Sequence, residues 1–305
     1  MRFLMLPMLA VLTMTEAHAQ GWEETRAFAN PSALANGAIS SSRMPISGSA
    51  LNIGTESNYL LPVTPAQAVK IIRDVSTNPT ENDSPLARPT TANDFAALTV
   101  TNPALKTARG LNLSNTEQQQ LADSDSANHA WRALLLNRAT AFQNGGLIKT
   151  APYDFANTTF QPASELVSLL KQRPPVLKRF MNIMDAIMTG KSGDGEPPVH
   201  YWANEKIQGR QNLALGVIHT GKTEHGCQVA DFTYYSASNY YLSITLYEFW
   251  PVSGQSQTYV WRGDYVISPS ISHTKGIERM AAENIMLLEV KAAIRAQITH
   301  CAAAR

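Results

Sequence analysis

The side chains best suited to chemistry gather in "HTGKTEHGC", where His219, Glu224, His225 and Cys227 are all metal-ligand types; Asp231 follows and His200 precedes. Zinc needs three or four such groups converging on one point. This spacing spans the turn of a hairpin and repeats no ligand motif, so the stretch reads as a polar turn, with neither metal nor cofactor expected. Nucleophiles are no better supplied. Gly-x-Ser-x-Gly and paired-carboxylate signatures are absent, and Ser270, Ser272 and His273 of "SISH" fall just ahead of a helix, where they serve as caps. "RGD" at 262–264 lies inside a strand-like run, in which Gly263 reads as a bulge. No catalytic residue is assigned, and a hydrolase built on His219 or His225 ranks last among the functional readings.

Binding chemistry has a better candidate in "NYYLSITLYEFWPV", residues 239–252. A period of two puts Tyr241, Ser243, Thr245, Tyr247 and Phe249 on one face and Tyr240, Leu242, Ile244, Leu246 and Trp250 mostly on the other. Rings interleaved with hydroxyls suit a ligand wall with a few polar anchors, and equally suit ordinary sheet packing. Trp202, Tyr235 and Trp261 would extend the wall, and Met184, on a Met-rich helix, would adapt to the ligand. The candidate ligand-binding set is therefore Trp202, Tyr235, Tyr241, Tyr247, Trp261 and Met184.

The elements that must position these residues predict an α+β protein. Five strand-like runs, 199–207, 212–220, 227–237, 240–250 and 258–268, are joined by short polar turns and form an antiparallel meander. A helix pair broken at Pro174-Pro175 precedes it, with Leu177, Phe180, Met181, Met184 and Met188 on one face of its second member. A long C-terminal helix follows from about Lys275 to Thr299, with Ile277, Met280, Ala281, Ile285, Leu287 and Leu288 as its core stripe. The N-terminal half is mainly helical and loop-rich: a loop-rich arm over 20–62, then a helical segment over 63–150 that opens on the Thr64-Pro65 cap and stops at Gly145-Gly146. The α+β domain occupies 151–305, either separate from 63–150 or continuous with it.

Residues 1–19 have the form of a secretory signal peptide, with an apolar run from Phe3 to Met14 and small residues at Ala17 and Ala19. A periplasmic or secreted protein is expected, with no transmembrane segment after the leader. In such a compartment Cys227 and Cys301 are expected to form a disulfide, adding about 4 kcal/mol in the chain-entropy picture. With 25 Lys+Arg against 24 Asp+Glu, no basic field for nucleic acid exists.

Two resemblances add to this reading. "FQNGGL", "APYD", "PASELVSLL", "YYSASNYYLSITLYEFWPV", "VWRGDYVISPS" and "GIERM" together resemble an uncharacterised family of secreted bacterial proteins without an assigned activity. In element order alone, residues 155–300 resemble the helix-grip arrangement of START-like lipid-transfer proteins, which implies a chamber between a curved sheet and a terminal helix. The functional expectation is a protein binding an apolar small molecule or lipid in that chamber. The alternative is a non-enzymatic accessory or structural protein of a cell-envelope assembly, with residues 20–62 docking on a partner.

Overall fold

A computed structural model describes residues 31–44, 51–74, 83–108, 110–155, 157–191, 193, 195–207, 209–272 and 274–304. The expected leader and the first part of the expected arm lie outside the described residues.

Two strands come from the segment read as an arm, β1 (Ser40–Met44) and β2 (Asn52–Leu61). A short β3 (Asp83–Leu86) and a hairpin of β4 (Tyr153–Phe155) and β5 (Thr158–Phe160) follow. The expected meander is then present as β6 (Val199–Ile207), β7 (Arg210–Lys222), β8 (Cys227–Ser236), β9 (Leu242–Pro251) and β10 (Thr258–Ile267). All but the β4–β5 hairpin join one sheet in the order β1-β2-β10-β9-β8-β7-β6-β3, with every neighbouring pair antiparallel. The meander is thus the middle of a larger sheet, extended by the N-terminal part of the chain at both ends. Residues 40–44 and 52–61 are strands of that sheet rather than a free arm.

β2 is an unlikely-looking strand because its composition is polar. Its register nevertheless alternates cleanly, with Ile53, Tyr59 and Leu61 on one face, and Ser57 and Asn58 find partners on neighbouring strands, whereas the buried Asn52 and Thr55 side chains do not. The Ser57 hydroxyl donates to Ser41 Oγ (2.8 Å), and Asn58 Oδ1 accepts from the Tyr259 hydroxyl (2.6 Å). A buried polar group with a partner does not carry the desolvation penalty that would otherwise exclude it.

Helices cover both faces. On the first face Leu242, Ile244, Leu246 and Trp250 of β9 join Trp261 and Tyr265 of β10 in one core. Against it pack α-helices numbered after α1 (Pro65–Arg73): α2 (Asn115–Ala122), α3 (Ala127–Gly145), α4 (Pro162–Lys171), α5 (Pro174–Arg179) and α6 (Met181–Thr189). Phe142 of α3 stacks on Tyr234 at 3.9 Å and 8°, so the helical segment and the sheet share a core. Helix α3 ends where expected, at Gly146, whose φ of 66° favours glycine. The expected helix over 176–190 is split at Phe180 (φ −101°, ψ 15°), which ends α5 and starts α6; Phe180 and Met184 are buried, whereas Met181 turns outward.

The second face is covered by α1, which packs over β8 and β9, and by α7 (Gly276–Ala303), which packs over β1 and β2. Helix α1 starts as its sequence requires, with a capping box between Thr64 and Gln67 and Pro65 in the first turn. The expected bulge at Gly263 is not formed. β10 runs in unbroken register with both neighbours, and the register shift falls between Leu215 and Gly216 of β7 instead. A Cβ at Gly263 would come within 2.8 to 3.1 Å of the Trp261 and Tyr265 rings, so the glycine makes room for two aromatics.

Charged groups tie helices to sheet on the first face. Arg173 pairs with Glu56, which also accepts from the Tyr265 hydroxyl (3.2 Å), and Arg179 Nη1 donates to Glu248 Oε2 at 3.1 Å. Burial pushes the Glu248 carboxyl up, and Arg179 pulls it back. Deeper still, Arg138 of α3 pairs with Glu117 of α2 and lies 4.3 Å from the Tyr235 ring.

The expected Cys227–Cys301 disulfide is absent: both are free thiols. Helix α7 rests on β1 and β2, while Cys227 starts β8, three strands away from β2 in the sheet. At about 4.8 Å per strand that is about 14 Å, twice the Cα separation a disulfide tolerates. Thiol titration of the denatured, unreduced protein is expected to find both thiols, and reductant is expected to leave the melting temperature unchanged. Arg138→Met leaves Glu117 buried without its cation and is expected to cost about 3–5 kcal/mol in urea unfolding. Arg73→Met, whose partner Glu196 is exposed, is expected to cost less than about 1 kcal/mol.

Candidate functional site

The six expected ligand-binding residues do not line one wall. Trp202, Tyr235, Tyr241, Trp261 and Met184 belong to the first-face core, whereas Tyr247 lies on the second face. Each already has a packing partner. Trp202 meets Phe95 (6.0 Å between centroids), Tyr241 meets Phe160 (4.0 Å), and Trp261 lies between Phe180 (5.9 Å) and the Arg179 guanidinium (4.4 Å). Tyr247 stacks on Phe249 at 5.7 Å. Helices and the β4–β5 hairpin occupy the space a ligand would need.

The residues of "HTGKTEHGC" diverge. His219 faces the first side of β7 and Cys227 the second side of β8, while His225 lies in the turn, 3.8 Å from Glu224. Among the described residues no three His, Cys, Asp or Glu side chains converge as metal ligands would. Burial pushes both thiols up to about 11, so each is protonated at neutral pH and a poor nucleophile. The Arg-Gly-Asp sequence is buried, with Arg262 gripping Asp264 through Nε (3.0 and 2.9 Å) and Nη2 (2.6 Å).

The surface feature that stands out is on α7. The inner face of this helix buries Met286, Val290, Ile294 and Cys301 against Ile53, Tyr59, Leu61 and Val260. Each fully buried aliphatic side chain contributes about 1.5–3 kcal/mol. Polar contacts fix its rotation: the Tyr59 hydroxyl donates to Gln297 Oε1 (2.7 Å), Arg279 donates to the Asn52 carbonyl, and Glu283 accepts from Arg279 (3.2 Å) and lies 3.9 Å from Arg43. That rotation turns the expected core stripe outward. Ile277, Met280, Ile285 and Leu288 are 86%, 51%, 57% and 67% exposed, and Ala281 and Ala292 continue the stripe. Among the described residues only Ile148 and Met181 are other large apolar side chains exposed to this degree. Helix α7 is thus apolar on two sides, as a helix buried between two bodies is. No helix among the described residues is long and apolar enough to cross a membrane.

Comparison of the chain with family models, with curated proteins and with solved structures gives no match. The α+β architecture and the outward face of α7 are therefore the ground on which function is argued.

Two buried histidines give the first face a pH dependence. Burial, with Arg88 nearby, holds both His200 and His219 down to about 4 from an ordinary 6.5, and His219 depresses His200 further. The unfolded chain takes up these protons below about 6.5 and the folded protein only below about 4, so this contribution to stability is complete above 6.5 and lost as pH falls through 4. Urea midpoints are expected to fall steadily from pH 6.5 to 4, and His200→Phe is expected to make that slope shallower.

Proposed function

We propose that the protein is a non-enzymatic accessory component of a cell-envelope assembly, held to a partner protein by the outer face of α7. The observation that carries this reading is the exposed stripe of Ile277, Met280, Ile285 and Leu288 on a helix whose other side is already buried. Contiguous exposed apolar surface on a folded domain marks an interaction site. The export signal expected at residues 1–19 would deliver it to that compartment.

The apolar-ligand reading has less support, because α7 lies on β1 and β2 and fills the space beneath it with Met286, Val290 and Ile294. A membrane surface fits the stripe less well: such helices carry Lys and Arg along both flanks with aromatic anchors. Here Glu278 and Glu289 take one flank, Lys291 and Arg295 stand only at the C-terminal end of the stripe, and the helix has no Trp, Tyr or Phe. A second copy fits no better. Glu278 and Glu289 lie three turns apart on one flank, and a two-fold antiparallel pair centred on the stripe would set one against the other. The occupant that suits the stripe is a different protein with an apolar groove.

Crosslinking in the native host, followed by purification of the wild type and of Ile277→Glu and Leu288→Glu, tests this. The wild type is expected to retain a partner that each variant binds about 10- to 100-fold less tightly. Melting temperatures should be nearly unchanged, since exposed substitutions alter stability by about 0.5 kcal/mol or less. A wild type without a partner, or variants that keep the same one, would sink the proposal.

A further inference from the structure

A second site lies on the same sheet face as α7 but away from both covering helices. β6, β8, β9 and β10 and the turn before β9 line an open groove of about 550 Å3, within the size range of small-molecule sites. Its lining is mostly polar, in contrast to the apolar side chains that α7 covers on the same face. The register sets Asp231, Thr245 and Asp264 side by side across three strands, and Thr233 beside Ser243. Thr245 donates to Asp264 (3.1 Å), whose charge is taken up by Arg262. Asp231 and Glu205 are the carboxylates among the lining residues, and Glu205 Oε2 also accepts from Asn212 Nδ2 (2.7 Å).

Two tyrosines are held in place beside them. A Cβ at Gly216 would fall 2.1 Å from the Tyr201 ring, so the ring lies directly over β7 because residue 216 is glycine. The Tyr201 hydroxyl donates to Asp231 Oδ1 at 2.7 Å, and the Tyr240 hydroxyl donates to Glu205 at 3.0 and 3.2 Å. A merely solvated sheet face has no need to immobilise two aromatic–carboxylate pairs in one depression.

We propose that this groove binds a saccharide. Carboxylates and hydroxyls make the lining rich in acceptors, and a carboxylate's two oxygens match hydroxyls on adjacent ring carbons. The half-buried Tyr240 ring suits the apolar C–H face of the same sugar. A simple cation is less well matched, since among the described residues no three metal-ligating groups converge.

The purified protein is to be applied to a glycan array, and the best-bound oligosaccharide titrated by calorimetry beside spermidine as a cation without a sugar ring. Saturable oligosaccharide binding with a Kd of about 10 μM to 1 mM is expected. Asp231→Asn, which keeps an acceptor for Tyr201, and Glu205→Gln, at a half-buried position, are each expected to weaken it about tenfold or more. If Asp231→Asn lowers the melting temperature, Glu205→Gln decides. An array without binding, saturation by spermidine alone, or binding unchanged in a folded Glu205→Gln protein overturns the proposal.

Discussion

β2 and β10 pair along their full length, from Asn52 opposite Ile267 to Leu61 opposite Thr258, and most of the architecture hangs on that ladder. It joins the N-terminal part of the chain to the C-terminal meander. It supplies the floor for α7, through Ile53, Tyr59 and Leu61, and it presents Glu56 to Arg173 and Tyr265 on the opposite face. A one-residue slip would exchange the two faces of β2. Glu56 would then meet α7 and Tyr59 the helical layer, and neither has a suitable partner there.

The two faces of the sheet are used differently. The first is packed with rings, aliphatic side chains and the arginines Arg138, Arg173 and Arg179, so its polar groups, from Glu248 to the Arg138–Glu117 pair, are structural. The second is covered at α1 and at α7 and left polar between and below them. The exposed stripe of α7 and the polar groove both lie on that side, because α2 to α6 all pack on the other.

How much of this was legible depended on where each pattern was written. The meander was readable because β-branched and aromatic residues recur within each strand and short turns force consecutive strands to pair. β2 was not, because "NIGTESNYLL" has the composition of a loop and its partner lies in a distant part of the chain. Helix α7 was found at nearly its true length, yet its orientation was read backwards: Ile277 to Leu288 form one apolar stripe and Met286 to Cys301 another, and only contacts with Tyr59 and Asn52 choose between them. The aromatic stretch 239–252 was divided correctly between faces from Leu242 onward, and its hydroxyl face did include Ser243 and Thr245 of the groove. Tyr201 escaped notice because what places it is Gly216 on the neighbouring strand. Cysteine count and compartment favoured a bridge, whereas strand order, invisible in the sequence, separates the thiols.

The same ladder sets a timetable for synthesis. Glu56 and Tyr265 are 209 residues apart. At about 5–20 residues per second the ribosome completes β10 roughly 10–40 s after β2. Throughout that interval β2 has β1 but not β10 beside it, and α7, made later still, is the helix that covers it. A chain stopped anywhere before residue 276 would leave Ile53, Tyr59 and Leu61 without the helix that covers them, so a closed molecule reports that α7 has been made.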